Sequence, residues 1–391
     1  MSRRIEPYWY AIGAVFAVAV ALFVRHLLTG AMPPRAAVTV LGLPLYWYAI
    51  WIITGIALGT WVVSRLADER AERLFVAAAP AAVRDRPLTD AGLPDDVVAH
   101  LAARHYTTLG AVLRDYGFDP RRLGLKRAET EAVGKALAAA PDVAPAWLAD
   151  APWRPWNPDH AWNALFIILT LSLIGARLYH VLTPSPSMAA VGITSALDYF
   201  RNPTQLFNFR AGGLGVYGGI AGGLVGLILY TRRNRLPVFG WADLSVVGLA
   251  LGQAVGRWGN FFNQELYGRP SELPWAITID PLHRLKPYEA FGRFHPAFLY
   301  ESLWSLLTFL LLLWLARRRA ERLLPGELMA VYLIAYALGR SLLELVRLDS
   351  RTATLFGVDT GMAVATLVSI GVALVAALSV LLRRRRRGGV G

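Results

Sequence analysis

Residues 296–316 read PAFLYESLWSLLTFLLLLWLA, and three arginines, Arg317 to Arg319, follow directly. A helix needs about 20 apolar residues to cross the hydrocarbon layer of a bilayer. An apolar run of this length that ends in a block of basic residues is typical of a transmembrane helix whose basic end lies at the membrane surface. The stretch therefore predicts an integral membrane protein.

The composition of the whole chain agrees with this interpretation. Of its 391 residues, 55% are hydrophobic and 17% are charged, and the mean hydropathy is +0.42. These values lie outside the range of ordinary soluble globular proteins. Further apolar runs that are long enough to span a membrane lie at residues 8–29, 44–64, 160–182, 212–231, 239–257, 327–346 and 360–382. We predict an all-α fold, a polytopic membrane helix bundle of about eight spans.

The chain carries a formal net charge of +13, and its arginines are divided unequally between the two sets of loops. The basic-rich set receives Arg3, Arg4, Arg65, Arg70, Arg73, Arg232, Arg233, Arg235, Arg317 to Arg319, Arg322 and the run Arg383 to Arg387. Cytoplasmic loops carry an excess of basic residues, so we predict a multi-pass protein of the bacterial cytoplasmic (inner) membrane with both termini in the cytoplasm. We expect the terminal run to contact anionic lipid rather than nucleic acid, and the first span to be retained as an anchor.

The chain contains no cysteine, which excludes disulfides, a thiolate nucleophile and Cys-ligated metal centres. Its seven histidines are scattered and show no metal-ligand spacing. We therefore expect neither a catalytic metal nor another cofactor. If the reaction involves a thiol, the substrate supplies it.

Residues 66–158 have a different composition, with charges of both signs and several prolines. Helical periodicity is present at residues 95–105, 109–116 and 127–139, and Gly110, Gly117 and Gly124 are expected to mark turns. The predicted division is two membrane helices (1–65), a soluble helical insert on the cytoplasmic side (66–158), and a membrane bundle with a basic tail (159–391). The insert is weakly similar to a helix-hairpin-helix module, but we expect packing or an unidentified cytoplasmic protein partner rather than nucleic acid.

Residues 256–268 read GRWGNFFNQELYG and lie at the outer end of the fifth predicted span. The guanidinium of Arg257 offers a rigid fork of donors for phosphate oxygens, and the amides of Asn260 and Asn263 can donate and accept hydrogen bonds. The segment is suited to hold a phosphate and its glycerol hydroxyls. Alternatively, Arg257 and Glu265 form an ion pair that only ties a loop to a helix end, and the residue types alone leave both interpretations open.

Tyr336, Arg340, Glu344 and Arg347 follow one another at helical spacing and share one face of the seventh predicted span. Charged side chains at membrane depth are costly and are expected where they pair, reach water or take part in function. Arg340 and Glu344 are therefore either a buried pair or part of a site that an anion such as phosphate completes.

These segments resemble the prolipoprotein diacylglyceryl transferase family. Residues 256–268 fill every fixed position of its pattern G-R-x-G-N-F-x-N-x-E-x-x-G. Further matching segments are Trp47-Tyr48, Gly175 to Leu178, Gly212 to Leu214 with Gly218-Gly219, His295 to Glu301, and the four residues of the seventh span. The resemblance covers residues 44–65 and 159–382, and it leaves the first span and the insert unexplained.

The resemblance implies transfer of the sn-1,2-diacylglyceryl group from phosphatidylglycerol to the lipobox cysteine thiol in the signal peptide of a prolipoprotein. Glycerol phosphate leaves, and the reaction is the first step of lipoprotein maturation. The resemblance further implies that Arg257 binds the phosphate and that Arg340 stabilises the leaving group. The remaining residues that it assigns to the phosphatidylglycerol site are Tyr48, Asn260, Asn263, Glu265, Tyr336, Glu344, Arg347, Gly218 and Gly219.

The proton acceptor for the thiol is open, because Tyr217 stands before Gly218-Gly219 where some family members have histidine. A protonated tyrosine is a poor base, and His295 is the other candidate, with a structural role as its alternative. For the later glycines of this span, Gly222, Gly223 and Gly226, we predict close packing between helices. Two other functions stay open: a related transferase with another acceptor, and a catalytically silent lipid-binding protein.

Overall fold

The computed structural model of the protein describes residues 6–40, 42–184, 188–189, 192–207, 213–348, 352–355 and 358–388. Its α-helices are, in order, α1 Pro7–Thr29, α2 Trp47–Ala78, α3 Ala81–Arg84, α4 Asp95–Ala103, α5 Leu109–Phe118, α6 Arg127–Ala139, α7 Ala146–Asp150, α8 Asp159–Leu182, α9 Ala196–Arg201, α10 Val216–Arg233, α11 Val238–Asn263, α12 Ala297–Arg318, α13 Glu327–Glu344 and α14 Val364–Gly388. Short 3-10 helices occur in the loops between these α-helices. The predictions made for Arg3, Arg4 and Gly212 lie outside the described residues.

Each of the eight apolar runs contains a helix. Six of these helices are long and apolar enough to cross a membrane, namely Pro7–Thr29, Trp47–Ala78, Asp159–Leu182, Val238–Asn263, Ala297–Arg318 and the segment Thr366–Arg386 of α14. The helices of the other two runs, α10 and α13, are 18 residues long and contain charged residues. The predicted all-α, multi-pass membrane fold is confirmed.

The strands form three antiparallel pairs that join helices: β1 Ala36–Val40 with β2 Leu43–Tyr46, β3 Ile277–Thr278 with β4 Arg293–Phe294, and β5 Thr352–Leu355 with β6 Val358–Ala363. The first pair leads from α1 into α2, the second closes the loop between α11 and α12, and the third leads into α14. In the described residues, therefore, sheet occurs only as short connecting hairpins and builds no core.

The chain forms two units, of which the first comprises Met1–Val63 and Phe239–Gly391. Within it, α11 and α13 run in the same direction. Near their beginnings, the Asp243 carboxylate accepts the backbone N–H groups of Gly326, at 2.7 Å, and Met329, at 2.9 Å. Farther along, the Tyr332 hydroxyl donates to the Gln253 side chain at 3.1 Å. We call the end at which α11 and α13 begin the arginine end, and the end at which they finish the motif end.

Paired glycines let α2 approach α11 closely. A Cβ atom added at Gly55 would lie 2.8 Å from the carbonyl oxygen of Gly252, and one at Gly59 would lie 2.5 Å from that of Gly248. Real Cβ atoms essentially never come this close, so both positions require glycine. Small residues four apart are a common means of packing membrane helices. This contact brings Tyr48, in the first turn of α2, against Gly259 of the motif.

The first helix, α1, packs on the same unit through large side chains. Phe23 makes edge-to-face contacts with Trp258, Phe261 and Phe298, at centroid distances of 6.3, 6.0 and 6.1 Å. The Nε2 atom of the buried His26 accepts the backbone N–H of Thr278 at 3.1 Å. The helix that the family resemblance leaves unexplained therefore supports the back of the motif helix α11.

The second unit comprises Ser64–Val238. Its helices α8 and α10 pack backbone to backbone, because Cβ atoms at Gly218 and Gly222 would overlap the carbonyl oxygens of Gly175 and Leu171. A Cβ atom at Gly223 would lie 2.7 Å from the Ser172 hydroxyl, and one at Gly226 would lie 3.0 Å from the Cα atom of Ile168. The predicted packing role of the later glycines is confirmed.

The three helices predicted for the insert are present as α4, α5 and α6. The predicted boundary at residue 66 lies inside α2, which continues without a break to Ala78. Two glycine predictions were wrong: Gly110 and Gly117 lie inside α5 rather than at turns. They are glycines because of packing, since a Cβ atom at Gly110 would meet the Arg84 backbone and one at Gly117 would lie 2.7 Å from the Trp153 indole nitrogen. Gly124 ends its helical turn with φ of 62°, as predicted.

Candidate functional site

The motif of residues 256–268 occupies the last two turns of α11 and the loop that follows. Gln264 and Leu266 adopt left-handed backbone conformations, with φ of 55° and 53°, which non-glycine residues rarely adopt and which cluster at functional sites. The Gln264 side chain holds this turn in place: it donates to the Asp280 carboxylate at 2.5 Å and accepts the Asp280 backbone N–H at 2.8 Å.

Two arginines converge on one buried carboxylate at the motif end. The Nε atom of Arg257 lies 2.5 Å from one oxygen of Glu301, and a terminal nitrogen of Arg347 lies 2.9 Å from the other. The Glu301 side chain is 8% exposed, that of Arg347 11%, and that of Arg257 31%. Glu301 thus fixes both guanidinium groups, and Arg257 keeps the greater access to a ligand.

Glu265 does not pair with Arg257, so the alternative ion pair considered from the sequence is not formed. The exposed Glu265 carboxylate instead accepts the side-chain amides of Asn260, at 2.7 Å, and Asn263, at 3.3 Å. Its backbone N–H donates to the Asn260 carbonyl at 3.1 Å. Tyr48 lies within electrostatic range of both Glu265 and Arg257. The motif therefore gathers a carboxylate, two amides and a phenol around a partly exposed arginine.

The charged face of α13 forms a second group at the same end. Arg340 pairs with Glu344 at 3.3 Å, and the Thr366 hydroxyl of α14 lies 3.5 Å from the same Glu344 oxygen. The Nε atom of Arg340 and the other carboxylate oxygen of Glu344 are buried, and neither has a hydrogen-bond partner among the residues that the structure describes. Unsatisfied polar atoms in a buried position are costly. The pair is therefore incomplete as a structural ion pair and has spare capacity for a ligand.

Three guanidinium groups lie at the motif end of the first unit. Arg257 and Arg347 share the Glu301 carboxylate, and Arg340 pairs with Glu344. Guanidinium groups bind phosphate through paired hydrogen bonds. The arrangement is chemically suited to a phosphodiester headgroup and to the extra negative charge that develops when a phosphate leaves.

Tyr336 and His295 lie in the same unit but differ in their contacts. Tyr336 is 41% exposed on α13. The Nδ1 atom of His295 lies 3.0 Å from the Tyr300 hydroxyl, which also accepts the Trp275 indole N–H at 2.9 Å. His295 is also tied through its backbone, because its carbonyl accepts the N–H of Gly268 at 2.9 Å. These contacts are those expected of a structural histidine, and a catalytic role for it stays a prediction.

Tyr217, Gly218 and Gly219 belong to the second unit, whereas the other predicted site residues belong to the first. Tyr217 is 45% exposed at the start of α10, and its ring lies 5.9 Å from that of Tyr179. Gly218 is packed against Gly175, whereas a Cβ atom at Gly219 would have 3.6 Å to its nearest neighbour, Ala176. The observed contacts of Gly218 are those of helix packing.

The loop beyond the motif is held by Tyr267. Its hydroxyl donates to the His283 carbonyl at 3.0 Å and accepts the Leu285 backbone N–H at 2.7 Å. Burial is the largest influence on this group and raises the pKa of the Tyr267 hydroxyl, so the hydroxyl stays protonated and keeps donating. The loop is thereby fixed against the end of α11.

Sequence reasoning missed Glu301 as a member of this site. The segment from His295 to Glu301 was recognised only as a matching stretch. The available signal was a single carboxylate in an otherwise apolar run on α12, which requires a buried cationic partner. The sequence did not indicate which arginine that partner would be.

Comparison with known proteins agrees with this geometry. A sequence model of prolipoprotein diacylglyceryl transferase matches residues 136–382. A phosphatidylglycerol–prolipoprotein diacylglyceryl transferase of Chloroflexus aggregans is 40% identical over 251 residues, which is 60% of this chain and 78% of the relative. The enzyme of the same name from Synechococcus elongatus is 46% identical over 156 residues, 39% of this chain and 54% of the relative. The second such enzyme of Streptomyces coelicolor is 40% identical over 208 residues, 52% of this chain and 62% of the relative.

Proposed function

Because the chain belongs to the prolipoprotein diacylglyceryl transferase family, we propose that it transfers a diacylglyceryl group from phosphatidylglycerol to a prolipoprotein. It is a multi-pass membrane transferase. In the proposed reaction, the sulfur of the acceptor's lipobox cysteine attacks the carbon of the diacylglyceryl group that is bonded to the phosphate oxygen. A carbon–sulfur bond forms, the carbon–oxygen bond to phosphate breaks, and glycerol phosphate leaves with the bonding electrons.

The observation that carries the proposal is the unsatisfied pair on α13. Within the described part of the chain, Arg340 and Glu344 each have a buried polar atom without a partner, at the same end of the unit as Arg257. A phosphate oxygen satisfies the free Nε–H of Arg340, and a glycerol hydroxyl satisfies the free oxygen of Glu344. A headgroup of phosphatidylglycerol contains both groups.

We assign the binding of the ground-state phosphate to Arg257. Its hydrogen bond to Glu301 uses Nε, and among the described residues its terminal nitrogens have no hydrogen-bond partner. Asn260, Asn263 and Glu265 then form the polar wall for the headgroup, with Tyr48 beside them. Arg340 is assigned to the charge that develops on the departing phosphate. Most of the catalysis is then positioning and electrostatic stabilisation.

The thiol proton requires an acceptor, and we keep Tyr217 as the first candidate and His295 as the second. Tyr217 is exposed at a helix start, whereas His295 is already engaged with Tyr300. A thiol has an unperturbed pKa near 8.5, so a modest base is sufficient. Replacement of each residue by Phe or Ala, with the rate measured between pH 6 and pH 9, distinguishes them, since loss of the base raises the pH at which the rate reaches half its maximum.

We further propose that the protein lies in the inner membrane with the motif end toward the outer face. The arginine end then faces the cytoplasm, in keeping with the excess of basic residues in cytoplasmic loops. The acceptor is a secreted prolipoprotein, so a site on the outer half of the membrane meets both substrates.

The test is direct transfer by purified full-length protein. Protein in mixed micelles is incubated with phosphatidylglycerol and a lipobox peptide, and thioether formation is followed by mass spectrometry. A peptide with serine in place of cysteine is the matched control. The expected result is a product heavier by one diacylglyceryl group and dependent on cysteine. Lipid turnover without peptide modification would favour a related transferase with another acceptor, and no reaction under conditions in which a family member works would overturn the proposal.

A further inference from the structure

A lipid-sized groove lies in the first unit, between α13 and α14. Its cavity of about 540 Å³ is bounded by α13, α14 and the start of α11. Its residues are Phe239, Gly326, Met329, Ala330, Leu333, Val368, Gly371, Val372, Val375, Ala376, Ser379 and Arg383. All are apolar or small except Ser379 and Arg383, and Ser379 donates to the Ala376 carbonyl of its own helix. The groove is therefore apolar apart from one cation, Arg383.

Arg383 lies at the arginine end of the groove, and two contacts fix its position. Arg383 donates to the Pro325 carbonyl at 2.7 Å, and its guanidinium lies 5.9 Å from the centroid of Phe239. Next to it, Arg384 makes two hydrogen bonds of 2.6 Å to the buried Glu327. Arg383 is itself exposed, as are the following residues Arg385 and Arg386.

The groove has unfilled space along its length. A Cβ atom added at Gly371 would meet nothing within 4 Å, and Val368, Val372 and Val375 of the same helix are 51%, 44% and 70% exposed. In a bilayer, such surface contacts hydrocarbon. The groove is apolar along its length and cationic at one end. A phospholipid whose acyl chain is joined to an anionic headgroup is complementary to such a groove.

We propose that this groove binds one acyl chain of an anionic phospholipid, with the lipid phosphate at Arg383. The proposed phosphate position is distinct from the substrate site, because Arg383 contacts Pro325 just before α13 begins, whereas Glu344 is the last residue of that helix. The apolar part of the groove extends along α14 to Val368, two residues from Thr366. The proposal does not depend on the transferase reaction.

The test uses full-length protein in nanodiscs that contain a phospholipid with a photoreactive diazirine in its acyl chain. The probe is either phosphatidic acid or phosphatidylcholine, and cross-linked residues are mapped by mass spectrometry. Cross-links to Leu333, Val372 and Val375 are expected to be about fivefold more frequent with phosphatidic acid, since one arginine near an anionic lipid contributes roughly this preference. Cross-links to Phe166, which is 75% exposed on α8 and belongs to neither site, serve as an internal reference.

Two variants probe the two halves of the site. Gly371→Leu fills the open space, so it should abolish the groove cross-links while retaining the melting temperature, the transferase rate and the reference cross-links. Arg383→Gln should remove the preference for phosphatidic acid, whereas Arg385→Gln, which makes the same charge change on a neighbouring residue outside the groove, should not.

Three results would overturn the proposal: equal labelling by both probes in the wild type, groove cross-links that persist in Gly371→Leu, or an equal effect of the two arginine variants. If Arg383→Gln does not fold, the proposal is still tested by the preference of the wild type for phosphatidic acid and by the loss of groove cross-links in Gly371→Leu. A protein without transferase activity that gives the expected cross-links would refute the proposed function and leave the lipid site standing.

Discussion

Glu301 determines how two arginines are held at the site, because it pairs with both Arg257 and Arg347. Replacing a buried carboxylate by an amide leaves buried cations without compensation, which typically costs about 3 kcal/mol. We therefore expect Glu301→Gln to lower the free energy of unfolding by about this amount and to reduce transfer activity strongly, as measured by thermal melting and by the peptide assay.

The same substitution at Glu265 is the matched control for Glu301→Gln. Glu265 is exposed, and in the described part of the chain its side chain accepts hydrogen bonds only from the amides of Asn260 and Asn263. Glu265→Gln should therefore weaken binding of phosphatidylglycerol with little change in melting temperature. Equal stability of the two variants would show that the double ion pair of Glu301 contributes little to the fold.

Arg257 and Arg340 are predicted to act at different stages of the reaction. Lysine keeps the charge but lacks the planar fork, so Arg257→Lys should mainly weaken binding of phosphatidylglycerol. Arg340→Lys should mainly lower the catalytic rate, because an interaction made only in the transition state affects turnover. Lipid affinity, turnover and melting temperature are to be measured on the same preparations.

If both arginines serve only the fold, activity and melting temperature should fall together in both lysine variants. Wild-type activity in a stable Arg257→Lys protein would remove the central assignment of the phosphate site.

Much of the site could be predicted from residue types and local spacing. Tyr336, Arg340 and Glu344 share a face by helical geometry, and Asn260 and Glu265 are only five residues apart in the sequence. The partner of Arg257 could not be found in this way, since Glu301 lies on another helix and only the packing of α11 against α12 brings them together. The incompleteness of the Arg340–Glu344 pair is likewise visible only at the level of single atoms.

At the scale of elements, the glycine contact between α2 and α11 sets how close Tyr48 comes to the motif. Because the carbonyl of Gly248 occupies the place of a side chain at Gly59, Gly59→Leu should push the two helices apart. We expect a large loss of thermal stability and of transfer activity, measured in detergent.

Gly13→Leu is the control for Gly59→Leu. Gly13 lies on α1, and a Cβ atom there would meet nothing within 4 Å, so the same added volume should leave both properties near wild type. A stable and active Gly59→Leu protein would contradict the close packing of α2 on α11.

The helices themselves could be predicted well, because apolar runs of membrane length dominate the local preference. The ends of the helices and the contacts between them could not be predicted from the sequence. The continuation of α2 to Ala78 depends on amphipathic residues that pack on the insert, as Phe75 does on Trp153 at 4.9 Å. Gly110 and Gly117 look like turn residues in the sequence, but their function is to admit the Arg84 backbone and the Trp153 ring.

At the scale of the whole molecule, the orientation in the membrane is open to a clean test, since the chain has no cysteine. Cysteine introduced at Arg121, whose side chain is 91% exposed in the insert, should resist a membrane-impermeant thiol reagent in intact cells. Cysteine at Glu272, exposed in the loop beyond the motif, should react. Permeabilised cells, in which both should react, are the control, and labelling at position 121 from outside would reverse the orientation.

The insert is the part of the molecule that lies farthest in sequence from the proposed chemistry. We predict that removal of residues 72–154, with a short Gly/Ser linker in their place, leaves transfer largely intact, because all the assigned residues lie outside this range. The boundaries of the deletion do not separate residues that contact each other in these two pairs. Phe75 is removed together with Trp153, whereas Arg70 and Trp156 are both kept, with the Arg70 guanidinium 4.1 Å from the centroid of the Trp156 ring. Activity and melting temperature are compared with those of Trp153→Ala, which should disturb the insert alone. A well-folded deletion protein without activity would make the insert part of the catalytic machinery, and loss of activity in Trp153→Ala as well would place that contribution in its folded core.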